Sequence, residues 1–216
     1  MGGGVTLQYA VTHGADLLGI IPVSSSGMPR DVVNASPPLA FRLAATPVVN
    51  QLMLFITPRS LVEDGLKHSI EDDGLVTDAM VDRYFDMALH DGNRSATRAR
   101  FQGYANRGVA DAALAEKIPT IELPALILWG ENDPLIPVAS AYAMKEALPQ
   151  AKLVIYENVG HIAMEEVPEE SAAEVRAFMA EVTAVPQAAV PPMVLCGEVA
   201  PIADGAVIPE PFNCGG

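Results

Sequence analysis

The residues of this chain whose types and spacing could do chemistry are Asp133 and His161, 28 positions apart. Each follows a short apolar run. Ala125–Trp129 is apolar and ends in Gly130, the pattern of a buried strand entering a turn. Glu131, Asn132, Asp133 and Pro134 form that polar turn. Lys152–Tyr156 is a second such run, followed by a loop carrying Gly160 and His161. If both runs lie in one parallel sheet, the turn and the loop leave it at the same edge, where open α/β folds build their sites. An acid meeting an imidazole there suits one task. The carboxylate fixes the ring's tautomer and stabilises it once protonated, so the ring acts as a general base. Taken singly, the two residues read differently: an Asp in a turn caps the turn, and a His after Gly is a surface loop residue.

The segments G-E-N-D-P-L-I-P at 130–137, P-Q-A at 149–151, and G-H at 160–161 with E-E-V-P at 165–168 together resemble the acid and histidine segments of the α/β-hydrolase fold superfamily. The order in that family is nucleophile, acid, histidine. The resemblance implies Asp133 as the triad acid and His161 as the base. It implies no cofactor and no metal.

The family's nucleophile stands in G-x-S-x-G at a sharp strand-to-helix turn. No such motif occurs in this chain. Its start, Met1-Gly2-Gly3-Gly4-Val5, is similar to the stretch just after that serine, which would then precede Met1. The resemblance gives the Met1 backbone N–H the role of an oxyanion-hole donor. A methionine in this place goes with a serine nucleophile rather than an aspartate. Two origins follow: a longer protein in which Met1 is internal, or a short chain that does not run the triad reaction. The implied activity is hydrolysis of a carboxylic ester or a related acyl or C–C bond, with the nucleophile serine outside the chain. The implied substrate is small, apolar or ester-like. The alternative is an inactive, truncated or pseudo-hydrolase that binds a ligand or a partner. Ser24, Ser25 and Ser26 could replace the missing nucleophile, but they read as a flexible polar turn without an elbow.

The remaining elements must position this pair. Gly2–His13 reads as a helix, Leu17–Val23 as a third apolar strand, and Ser140 opens a helix carrying Ala141, Met144, Ala147 and Leu148. Thr77 caps a helix over Asp78–Leu89, with Val81, Tyr84, Phe85 and Ala88 on one stripe. Arginines 94, 98, 100 and 107 read as a solvated face. Pro168–Val182 is amphipathic, with Val175, Phe178, Met179 and Val182 facing inward. The expected fold class is α/β: a partial α/β-hydrolase fold, with parallel strands, flanking helices and a helical lid insertion. Residues 1–27 and 118–182 form the core, and 28–117 form the lid, whose Leu52-Met53-Leu54-Phe55 could line an apolar pocket. Residues 183–216 are a tail without Lys or Arg, proline-rich and expected to be disordered. The first strand is left with an open edge, so the chain alone should be marginally stable unless a partner chain completes the sheet.

Composition bounds the rest. Half of the 216 residues are hydrophobic, enough for a sizeable core. A net charge of −14 argues against a nucleic-acid partner, whose phosphates need clustered Lys and Arg. No apolar run is long enough for a membrane span. The two cysteines, Cys196 and Cys214, both lie in the tail without metal-ligand spacing, which fits a cytoplasmic protein.

Overall fold

The computed structural model describes residues 2–28, 51, 55–102 and 112–184. Among these described residues two strands form a sheet, β1 over Leu126–Gly130 and β2 over Lys152–Tyr156. They are parallel, in register from Leu126 opposite Lys152 to Gly130 opposite Tyr156. On the other side of β1 runs the Leu17–Val23 stretch. It makes isolated parallel bridges, Ile20 to Ala125 and Val23 to Leu128, rather than the full strand expected. The cause lies in its residues. Pro22 has no N–H to give, so it serves only as an acceptor, from the Leu128 N–H at 3.1 Å.

Every residue of β1 is buried, because both of its faces are covered. Side chains alternate along the strand. Ile127 and Trp129 join a core with Leu7 and Ala10 of helix α1 (Gly2–His13) and with Ile118 and Ile121. Leu126 and Leu128 face the opposite way, onto Phe178. Below, α2 is Arg59–Lys67, α3 Asp78–Leu89, α4 Asn93–Gln102, α5 Ala139–Ala147, α6 Ala163–Glu166 and α7 Pro168–Ala184. Ala141 and Met144 of α5 pack on the first core, beside Leu148 just past the helix end. Val175 and Val182 of α7 pack on the second. Met179, expected on the same inward stripe, is instead 54 % exposed, because the helix buries only a narrow line through Phe178. Helix α7 also runs two residues past the expected end.

Helix α3 forms with its expected cap, the Thr77 hydroxyl accepting from the Met80 N–H at 3.2 Å. Arg59 of α2 bridges to Asp78 and Asp82 of α3, tying the two helices together. Arg94 of α4 is not simply solvated. Its guanidinium donates to the Phe55 carbonyl at 3.2 Å, and Arg98 is also engaged. Phe55 itself is exposed. Residues 52–54, Met1 and the tail from 185 lie outside the described residues.

Candidate active site

The parallel register brings the ends of β1 and β2 side by side, and the two chemical residues meet there. The acid turn is fastened first. Glu131 N–H donates to the Tyr156 carbonyl at 2.9 Å and Asn132 N–H to the Val159 carbonyl at 3.0 Å. The turn thus hangs on the end of β2 and on the loop behind it. Asp133 then uses each oxygen separately. Oδ1 accepts from the backbone N–H groups of Leu135 and Ile136, both at 2.8 Å. Oδ2 lies 2.8 Å from His161 Nδ1. The turn cap and the histidine's partner, which the sequence offers as rival readings, are the same carboxylate. Trp129, wholly buried, braces the turn by donating its indole N–H to the Ile136 carbonyl at 3.0 Å.

The Asp133 carboxylate is fully shielded, whereas 21 % of the His161 side chain is exposed. A carboxylate is an acceptor only, so the hydrogen between them sits on Nδ1. That leaves the Nε2 lone pair free to take a proton. The pair can therefore do what a general base and its orienting acid do.

The histidine loop is held by contacts that the sequence did not announce. His161 N–H donates to the Ser69 carbonyl at 2.7 Å. Gly160 N–H donates to Glu166 Oε1 at 2.8 Å, and Glu71 N–H to Glu166 Oε2 at 2.9 Å. The Asn132 side-chain amide donates to Glu71 Oε1 at 3.1 Å. The short stretch 69–71 thus touches both the acid turn and the histidine loop. Glu165 receives Arg83 Nη2 on both oxygens at 2.8 Å, and the Tyr84 hydroxyl at 2.9 Å. Burial, then the bond to Glu165, pushes the Tyr84 phenol up to about 12. The signal for these contacts is the acidic pair four and five residues after the histidine, in a motif that gives it no partner.

The serine turn departs from its expected character. Ser24 and Ser25 are buried, not exposed in a flexible turn. Helix α1 presses on them, since a side-chain carbon on Gly3 would collide with Ser25. Ser25 Oγ donates to the Ser26 carbonyl at 2.7 Å. Ser24 has a positive φ of 40° and a buried hydroxyl with no partner among the described residues.

The sheet edge, the buried acid and the histidine loop define a partial α/β hydrolase architecture. Comparison with known proteins agrees: the family model for the alpha/beta hydrolase fold matches residues 1–168, and the chain belongs to that family. It is 25 % identical over 192 residues to 2-hydroxy-6-oxo-6-(2'-aminophenyl)hexa-2,4-dienoic acid hydrolase of Metapseudomonas resinovorans, covering 88 % of this chain and 60 % of that protein. It is 34 % identical over 64 residues to Lipase 1 of Psychrobacter immobilis, 30 % of this chain and 20 % of that one. Among solved structures, a meta-cleavage product hydrolase from Pseudomonas fluorescens superposes with a TM-score of 0.65 at 19 % identity, covering 83 % of this chain and 61 % of that chain. The chain thus spans less than two thirds of the length of these relatives. Among the described residues, no helix is long and apolar enough to cross a membrane.

Proposed function

We propose that this chain carries the acid and the base of a serine-type hydrolase that cleaves a carboxylic ester or a related acyl or C–C bond, with its nucleophile serine outside the chain. One observation carries this reading: the 2.8 Å contact between His161 Nδ1 and Asp133 Oδ2, with the acid buried and the ring partly open. His161 Nε2 would take the proton of the serine hydroxyl as it attacks the substrate carbonyl, then return it to the leaving group. Asp133 would remain ionised and hold the ring throughout. The lack of a G-x-S-x-G motif supports a serine elsewhere. So does the span of the chain on its relatives. Residues 28–117 would form the lid over the substrate. An oxyanion-hole role for the Met1 N–H is part of the same proposal. The hydrolase and lipase names of the relatives support the choice of bonds.

The test is hydrolysis of a short p-nitrophenyl ester by the protein isolated from its source. Asp133→Asn should lower kcat on the order of 10³- to 10⁴-fold, because the ring loses its fixed tautomer. Activity unchanged by that substitution would overturn the proposal.

A further inference from the structure

The consecutive carboxylates after the histidine serve segments that the triad chemistry does not use. Glu166 stands on α6, one turn of helix past His161. Each of its oxygens takes one backbone N–H: Gly160, immediately before His161, and Glu71, just after α2. The space between these segments is full. A side-chain carbon on Gly160 would lie 2.6 Å from the Ser69 carbonyl oxygen and 3.0 Å from the Glu71 nitrogen. The neighbouring Glu165 faces the same way, with Arg83 and Tyr84 of α3 on its oxygens. So the four-residue helix behind the histidine holds the 69–84 stretch at two points, and that stretch returns a third bond, the Ser69 carbonyl, to His161 N–H.

We infer that Glu166 is a positioning residue for His161, and that with Glu165 it latches the 69–84 stretch to the histidine loop, so that the seating of His161 on Asp133 depends on where that stretch lies. This rests on the reading of Asp133 and His161 as a working pair. The chemistry of the carboxylate makes it specific. Two convergent N–H groups need two acceptor oxygens, and a glutamine amide offers one oxygen and a donor. Glu166→Gln therefore leaves one N–H facing another donor. Either Gly160 or Glu71 is released, although size and shape are kept.

The test is NMR on the full chain, following the His161 ring proton at Nδ1 and amide hydrogen exchange. In the wild type the ring proton should resonate far downfield and vanish in Asp133→Ala. In Glu166→Gln it should exchange with solvent about tenfold faster or more, together with the Gly160 or Glu71 amide, while the Leu128 amide in β1 keeps its rate. Arg83→Gln, a surface change without contact to His161, should speed exchange at Gly160 by about threefold. This second variant serves even if the first does not fold. An unchanged ring proton and unchanged Gly160 exchange in both variants would overturn the latch. So would equal acceleration at every amide including Leu128, which is plain loss of stability. A wild-type ring proton indifferent to Asp133→Ala would instead overturn the pair itself, and the latch with it.

Discussion

Gly130→Ala places one methyl group at the point where the acid strand meets the histidine loop. The added carbon would stand 2.7 Å from the Val159 carbonyl carbon, and closer still to the carbonyl oxygens of Val159 and Gly160. The Gly160 carbonyl oxygen is the nearest obstruction, far inside an ordinary contact of about 3.3–3.5 Å, so the loop must retreat by more than about 1 Å. No flexible side chain is available to absorb this, because the obstructing atoms are backbone. Carried to His161, that retreat stretches the 2.8 Å contact with Asp133 to roughly 4 Å, past hydrogen-bond length. Overpacking of this kind costs about 1–3 kcal/mol, and leaving the buried carboxylate short of a donor adds a term on the order of 1–3 kcal/mol. The sum is about 2–6 kcal/mol. Urea denaturation read by Trp129 fluorescence measures it, with Gly65→Ala as a control. Gly65 lies within α2 with nothing in the way of a side chain, and alanine there should stabilise by about 0.5–1 kcal/mol. A Gly130→Ala protein with the wild-type urea midpoint and an intact Nδ1 ring proton would refute the reasoning.

Three further outcomes follow from the same contacts. Tyr84 holds its proton up to about 12 when folded, against an ordinary 10, so the unfolded state loses it first. The stability it contributes is full below pH 10 and lost as pH rises from 10 to 12. Tyr84→Phe should therefore show a shallower loss of stability across that window in urea titrations. Removing the Ser24 hydroxyl, which has no partner among the described residues, by Ser24→Ala should leave stability equal or raise it by up to about 1 kcal/mol, and should leave ester hydrolysis unchanged, both read on one preparation. Trp129→Phe orphans the Ile136 carbonyl and should lower thermal stability by about 1–3 kcal/mol, measured by calorimetry.

Legibility in the sequence followed the range of the forces involved. Lys152–Tyr156, Gly2–His13 and Asp78–Leu89 form over the expected residues because local pattern and capping decide them. Asp133 and His161 could be paired because each follows an apolar run, and parallel pairing of those runs sets both at one edge. The Leu17–Val23 run read as a strand on hydrophobicity alone, and Pro22 limited what the backbone could pair. Burial of Ser24 and Ser25 depends on α1 lying against them through Gly3, which no local window contains. Glu71 was invisible for the same reason: its partner is 95 residues away. The motif showed Glu165 and Glu166 but not what they hold.

The most direct test of the central claim is the reaction of the protein from its source with a fluorophosphonate, timed and then mapped to the modified peptide. The adduct should fall on a serine outside residues 1–216, and His161→Ala should slow its formation on the order of 10³-fold or more. An adduct on Ser24, Ser25, Ser26 or another serine of this chain, or a rate indifferent to His161→Ala, would contradict the assignment of Asp133 and His161 to a serine beyond it.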